Sequence, residues 1–439
     1  LLSSDGLTEV FTEIESSEAL PEPAWRSLSL AQAYIDTIEP VIAFLQGKDR
    51  GLANRIRNTP FLPRGPRLQN ANLDHFGRMG SHDAARYLAT LYIEDLVDLI
   101  TATIDPGFSL TRYQHNLAVG STSFDPIWAR LKQTNLVDKH LDDLADSIDS
   151  ELVGLSVAFP GNLYGALRIG RRLKARGVTV IMGGGYVNTE LRDLDEPRIW
   201  ACVDQITYDD GEGPLLAILS LFKGGDDHRY RTRTSAGLLE HAHIPSPTVF
   251  SADYSGLALD PYLQLIDAHN PTSRLWSDGR WNKITLAHGC YWKKCAFCDV
   301  SLDYISRYER ANIAMLVDQM VETIALTGEH GFHFVDEAAP PRLLKELALE
   351  ILRRGISVSL WGNIRFEKSF TPDLCRLLAH AGVIAVTGGL EVANNRLLKK
   401  INKGVTVEDA ARCAHAFQEV GIQVHAYLMY GFPGQTAQE

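Results

Sequence analysis

The sequence predicts an α/β protein: a partial doubly wound, Rossmann-like parallel sheet followed by a partial (β/α) barrel, behind a mostly helical N-terminal region. Three observations carry this prediction. From Leu152 onward, short apolar runs alternate with amphipathic helical patterns, the rhythm of parallel strands joined by crossover helices. The apolar runs end in glycine-rich or acidic turns, and α/β sheets and barrels take their ligands at those strand ends. Before Leu152, apolar residues recur at helical spacing instead. The boundaries read as 1–150 for the helical region, 151–223 for the Rossmann-like sheet, 224–275 for a linker and 276–439 for the barrel.

In the first region a helix is expected from Trp25 to Leu45 and another from Ser81 to Ile104, the latter with Ser81 as its N-cap and Pro106 past its end. Two shorter helices are expected near Ile127 to Gln133 and Leu141 to Ile148. The sheet then reads as strands from Leu152 to Ala158, Val178 to Met182 and Val203 to Thr207, with a helix between the first two that Gly177 stops. Its strand ends carry Ser156, then Gly183, Gly184 and Gly185, then Gly211 and Glu212, positions where a ligand can approach the backbone closely. Residues 224–275 lack periodicity and are rich in Ser, Asp, Pro and aromatics, which reads as an ordered linker. The barrel's strands are expected at Lys283 to His288, Gly331 to Val335, Ser357 to Trp361, Val383 to Thr387 and Ile422 to Met429. Its helices are stopped by Gly328, Gly355, Gly382 and Gly421 and opened by Thr371-Pro372 and Thr406.

Composition excludes several classes of function. A net charge of −11 without clustered Lys and Arg argues against nucleic-acid binding. No apolar run is long enough to cross a bilayer and no signal peptide opens the chain, so a cytoplasmic protein without a membrane partner is expected. Six cysteines in so long a chain, three of them within nine residues, point to metal or redox chemistry rather than a disulfide framework. Cys202, Cys375 and Cys413 fall in strand or helix patterns and read as core. The chain begins without Met and stops just after a strand and its turn, so both ends read as cut, with further sheet and barrel strands expected outside it.

Cys290, Cys295 and Cys298 form a C-x4-C-x2-C array in the loop after the first barrel strand, with Phe297 just before the last thiol. Three sulfurs are one short of a closed zinc site, and they are what a four-iron cluster needs when one iron stays open to a substrate. His288, two residues earlier, could complete a Cys3His zinc site but reads better as an interior strand residue.

The cysteine loop, the acidic Asp336-Glu337 after the second strand, the Gly-Gly-Leu-Glu of the fourth and the Gly-Phe-Pro-Gly after the fifth together resemble the radical S-adenosylmethionine (radical SAM) enzymes over roughly residues 276 to 439. The loop departs from that family's commonest spacing by one extra residue in its first gap. The resemblance implies a [4Fe-4S] cluster on Cys290, Cys295 and Cys298 with S-adenosylmethionine on its open iron, and a reaction through a 5'-deoxyadenosyl radical. By position it puts Phe297 on the adenine, Glu337 at the methionine ammonium, Arg365 at its carboxylate, Glu391 at the ribose hydroxyls, and Gly388 and Gly389 beside the cofactor. Glu337, Arg365 and Glu391 could instead pair as structural ions at a barrel rim, and Phe297 could serve packing alone.

Residues 152–221 resemble the cobalamin (B12) domain that precedes the barrel in one branch of that family. The likeness is carried by Gly-Leu-Ser-Val, Met-Gly-Gly-Gly and Asp-Asp-Gly-Glu-Gly at successive strand ends. It implies cobalamin at Ser156, Gly183, Gly184, Gly185, Gly211 and Glu212. Asp138-Lys139-His140 only approximates the Asp-x-His-x-x-Gly of many such domains and is not assigned to cobalt. The implied reaction is cobalamin-dependent methylation of an unactivated carbon, on a small-molecule or peptide substrate, with an electron donor such as flavodoxin or ferredoxin. The alternatives are a radical rearrangement or cyclisation without methyl transfer, and a non-enzymatic zinc-binding protein.

Overall fold

The computed structural model describes residues 1–16, 20–77, 80–110, 123–209, 211–241, 253–266, 275 and 280–439. The chain forms two units, residues 1–245 with 259–277 and residues 246–258 with 278–439.

The first unit opens with helices α1 (Ser4–Glu15), α2 (Glu22–Ser29), α3 (Ala31–Leu45), α4 (Leu52–Asn58), α5 (Pro66–Gln69) and α6 (Ser81–Thr103). The single helix expected over Trp25 to Leu45 is two, broken at Leu30, whose φ of −105° and ψ of 5° are not helical. Ser81 is the first helical residue of α6 rather than its N-cap; its hydroxyl accepts from Arg57 Nη1 at 2.7 Å. These helices close around Tyr34, Ile38, Phe44, Tyr92, Ile93 and Leu96, all buried. After α7 (Asp125–Arg130), helix α8 (Leu136–Ser147) starts earlier than its apolar spacing indicates, because Asn135 and Asp138 form a reciprocal capping box.

Among the described residues the sheet of this unit has five strands in consecutive order: β1 (Leu152–Ser156), β2 (Thr179–Gly183), β3 (Gln205–Thr207), β4 (Tyr230–Thr234) and β5 (Gly237–Glu240). The first three are parallel, with α9 (Leu163–Ala175) and α10 (Gly185–Glu190) in the crossovers and α11 (Glu212–Phe222) after β3. β4 and β5 are an antiparallel hairpin on the β3 edge. The linker reading of 224–275 is therefore corrected over 230–240, with a physical reason. The two buried positions of β4 are Tyr230 and Thr232, and with a threonine at the second and arginines between and after them the strand shows no apolar alternation. Its Arg231 has a left-handed φ of 46° that shifts the register beside it.

In the second unit, five parallel strands run in the order β12 (Gln423–Leu428), β11 (Val383–Glu391), β10 (Ser359–Asn363), β9 (Gly331–Phe334) and β6 (Asn282–Ile284). Among the described residues β12 and β6 are edges, so the barrel is an open arc. The expected strand over Lys283 to His288 is split: β7 (Ala287–His288) leaves the arc and pairs with β8 (Glu309–Arg310) in an antiparallel ribbon. Between them lies the cysteine loop with α12 (Asp303–Ser306). The arc is backed by α13 (Ile313–Thr327), α14 (Pro341–Arg354), α15 (Pro372–His380) and α17 (Val407–Gln418), while the six-residue α16 (Asn395–Lys400) follows β11. Thr371 and Thr406 accept from Leu374 N and Asp409 N as N-caps.

Strand residues facing the helices, among them Ile284, Phe332, Phe334, Leu360 and Val386, pack on Leu343, Leu347, Leu378 and Phe417. Phe334 is fully buried, so Phe334→Ala should lower unfolding stability by about 3–5 kcal/mol in anaerobic urea titrations. Leu326→Ala on the exposed face of α13 should change it by no more than about 0.5 kcal/mol. Equal effects of the two would contradict this assignment of faces.

Candidate active site at the cysteine loop

The loop is built from a break in a strand. Between β6 and β7 the chain turns out of the arc, and the buried carboxylate of Asp336, at the end of β9, accepts Leu286 N at 3.0 Å and Ala287 N at 2.7 Å there. Asp336, expected on the working face, thus holds backbone. After β7, Cys290 N donates to Ile305 O, Ala296 N to Ile401 O at 2.9 Å, and Cys298 N to Cys295 O. Lys293, in the first gap, is left-handed (φ 54°) and its ammonium donates to Ser306 O.

All three loop cysteines are partly exposed free thiols, while Cys202, Cys375 and Cys413 are buried. Burial pushes the Cys295 thiol up, opposed by Lys403 and Arg365. It does the same at Cys298, reinforced by Cys295 and Cys290, with Lys403 opposing and Glu337 adding to the rise. The three thiols and these charged groups therefore share one site. Among the described residues no three His, Cys, Asp or Glu side chains are grouped as ligands of a single ion. His288 lies in β7 with Nε2 making no hydrogen bond among the described residues.

The other residues expected here fall around the loop with different degrees of freedom. Glu337 is exposed at the surface, yet enough protein surrounds its carboxyl to raise its pKa, and it makes no ion pair among the described residues. A partly desolvated carboxylate that forms no ion pair among the described residues suits an ammonium. Arg365 is buried; Nη2 donates to Lys403 O at 2.5 Å, while the buried Nε has no hydrogen bond among the described residues and stands 3.7 Å from Glu367. The ring of Phe297 is exposed, 6.4 Å from the ring of Phe432 in the Gly-Phe-Pro-Gly turn, with Lys403 Nζ 5.6 Å from its centre.

Glu391 ends β11 in a left-handed conformation (φ 66°), and its Oε1 accepts from Lys403 Nζ at 2.6 Å with both side chains buried. One bond leaves acceptor capacity on a carboxylate with about four lone-pair positions. Gly388 and Gly389 make room for the chain itself: a Cβ at Gly388 would lie 2.4 Å from Ile364 O, and one at Gly389 1.9 Å from Glu391 Oε1. Lys403 and Trp292 are the site residues that sequence reasoning missed. The signal for Lys403 was its place in Asn402-Lys403-Gly404, a turn one helix after the Gly-Gly-Leu-Glu motif.

In the front sheet, Ser156, Gly211 and Glu212 are exposed. Gly184 (φ 112°) is packed so closely that a Cβ would lie 2.6 Å from Val157 O, and Gly183 would meet Thr207 Oγ1 at 2.7 Å. Gly185 opens α10, and a Cβ there would lie 3.3 Å from Ala158 O. At Gly211 a Cβ would meet nothing within 4 Å. The turn before it is held by Asp209, left-handed at φ 62°, paired with Arg192 and with Arg231 at 3.3 Å. His140 lies on α8, 3.2 Å from Glu9.

An open parallel (β/α) arc whose first strand leads into a three-cysteine loop, with acid and base at the next strand ends, defines a class of cluster-bearing barrel. Residues 284–439 match the model of the radical SAM superfamily, a match that implies a [4Fe-4S] cluster and S-adenosylmethionine as cofactors. The chain is 23% identical over 321 residues to an uncharacterized methyltransferase of Pyrococcus horikoshii, covering 69% of this chain and 65% of the relative. It is 28% identical over 335 residues to the anaerobic magnesium-protoporphyrin IX monomethyl ester cyclase of Rubrivivax gelatinosus, covering 72% and 57%. The chain thus spans somewhat under two thirds of these relatives' lengths. Among solved structures it is similar in fold to OxsB, a cobalamin-dependent S-adenosylmethionine radical enzyme, with a TM-score of 0.52, 16% identity and coverage of 69% of this chain and 44% of that one.

Burial raises the Asp336 carboxyl to about 7 despite its two N–H donors. Between an unfolded value of 3.8 and about 7, the folded protein then binds more protons than the unfolded one, so this group's contribution to stability falls as pH rises through that window. Asp336→Asn should remove that part of the slope, as read by anaerobic denaturation at several pH values. A slope equal to that of the unmodified chain would refute it.

Proposed function

We propose that this chain generates a 5'-deoxyadenosyl radical and uses it, with cobalamin on the front sheet, to methylate an unactivated carbon. One observation carries the radical half: the three thiols of one loop share a site with Arg365, Lys403 and Glu337 from other elements, a donor set suited to a cluster together with a zwitterionic ligand. Cys290, Cys295 and Cys298 hold the cluster, which when loaded supplies the electron that splits the sulfonium of S-adenosylmethionine. Glu337 takes the ligand's ammonium, and Arg365 takes its carboxylate through donors not spent on Lys403 O. Glu391, held by Lys403, accepts from the ribose hydroxyls, Gly388 and Gly389 make the room in which its carboxylate and Ile364 O sit, and Phe297 lies on the adenine.

The cobalamin half is supported by the turns at Ser156 and Glu212, by the glycines at 183, 184, 185 and 211, and by the likeness to OxsB, whose structure holds aqua-cobalamin and S-adenosylmethionine. Methyl transfer is supported by the Pyrococcus relative, which is named a methyltransferase. A second reading, radical cyclisation without methyl transfer, is favoured by the Rubrivivax relative, named a cyclase. The substrate is a small molecule or peptide, and the electron comes from a donor such as flavodoxin or ferredoxin. Among the described residues no helix is long and apolar enough to cross a membrane, and a cluster on reduced thiols suits the cytoplasm.

Anaerobic reconstitution should load about four irons per chain. Alanine at Cys290, Cys295 or Cys298 should abolish loading, whereas alanine at Cys202, Cys375 or Cys413 should not. About one zinc per chain without iron–sulfur absorption would overturn the radical reading.

For cobalamin the informative position is Gly211. Gly184 is strained by any side chain, but Gly211 has ordinary backbone (φ −67°) and open space. Gly211→Trp should fold normally and weaken hydroxocobalamin binding by about tenfold or more, roughly the 1.4 kcal/mol of one lost close contact. Cobalamin binding that is undetectable in the unmodified chain would leave cyclisation as the reading.

A further inference from the structure

We propose that Trp292, the second residue of the lengthened first gap, is a positioning residue that holds the cysteine loop in shape before any cluster is present, by locking into the turn 401–404. The inference rests on the reading that this loop is the cluster site and adds how the loop is kept ready.

Three main-chain acceptors in succession bind the site to that turn. Ala296 N donates to Ile401 O at 2.9 Å, Trp292 Nε1 to Asn402 O at 2.9 Å, and Arg365 Nη2 to Lys403 O at 2.5 Å. The indole is seated on Gly404 so closely that a Cβ there would lie 2.0 Å from the ring, and Gly404 is left-handed (φ 75°), as is Asn402 (φ 55°). The guanidinium carbon of Arg365 stands 4.7 Å from the indole centre, and Lys294 Nζ 5.1 Å from it. The turn is itself fixed: α16 buries Leu397 and Leu398 with Val392 and Ile401, and Lys403 reaches back to Glu391.

These contacts give the four-residue gap a purpose. Tyr291 leads to Trp292, the left-handed Lys293 redirects the chain, and Lys294 covers the indole before Cys295. A loop that must gather three thiols around a cluster loses conformational freedom on doing so. Seating Trp292 beforehand removes part of that cost.

The test is thiol alkylation of the full, cluster-free chain with iodoacetamide under anaerobic reducing conditions, each cysteine followed by mass spectrometry. In Trp292→Leu and in Gly404→Ala, Cys295 and Cys298 should react about tenfold faster, the factor that loss of one net hydrogen bond brings. Cys202, Cys375 and Cys413 should keep their rates, and cluster loading with iron and sulfide should slow. Unchanged rates at Cys295 and Cys298 in both variants, or acceleration shared by all six cysteines, would overturn the proposal. Because alkylation is read without a cluster, failure of the unmodified chain to take up iron and sulfide would count against the cluster reading alone.

Discussion

The buried carboxylate of Asp336 is the constraint on which the working end of the barrel depends. It accepts the two N–H groups at the point where the chain leaves the arc between β6 and β7. Left unpaired in the interior, those donors would cost about 1–3 kcal/mol each. The same residue's carbonyl accepts from Asn363 Nδ2 at 3.2 Å, and Asn363 O accepts from Ala339 N at 2.8 Å. The ends of β6, β9 and β10 are thus tied in one network, and the cysteine loop departs from a fixed origin. The acidic pair after β9 divides its labour: Asp336 faces inward to hold backbone, and Glu337 is left for the site.

A second constraint is the buried pair of Lys403 and Glu391. Taking both charges out of water is costly, and the pair is retained only with good geometry and further bonds. Here the 2.6 Å contact joins the turn after α16 to the end of β11. The left-handed backbone of Glu391 and the two glycines before it are what let that carboxylate fold back against its own strand. Any hydroxyl donor that reached Glu391 would therefore meet a carboxylate already aimed by a lysine, which limits the directions from which it can be accepted.

Much of this was legible from local pattern. Long helices with glycine stops and threonine caps, such as α13 to α15 and α17, follow from periodicity that needs no tertiary context. The cysteine array and the acidic and glycine-rich strand ends were legible because their chemistry is unusual for their position. Three kinds of element were not. The β4–β5 hairpin buries a threonine where a strand usually buries an apolar residue. The six-residue α16 is too short to display a period. The break between β6 and β7 is dictated by a carboxylate 49 and 50 residues away in the chain, a tertiary override of a continuous apolar run. Lys403 and Trp292 were missed for a related reason: each acts through backbone left-handed at a non-glycine neighbour, which composition does not announce.

The front sheet shows why a glycine-rich strand end is an ambiguous sign of a ligand. Val157 N donates to Gly183 O at 2.7 Å and Tyr186 N to Val157 O at 3.1 Å, so the loop after β1 lies directly on the turn after β2. Gly184 is needed for that contact, and Gly183 for the close approach of Thr207, whether or not anything binds. The turn after β3 differs: Arg192 and Arg231 hold it from the Asp209 side, while Gly211 faces open space. A flat ligand lying over these strand ends would meet backbone already committed at β1 and β2, the exposed side chain of Ser156, and open space at Gly211 after β3. The room for recognition in this sheet therefore lies with Ser156 and the Gly211-Glu212 turn that flank the glycine run, and the run itself is the floor between them.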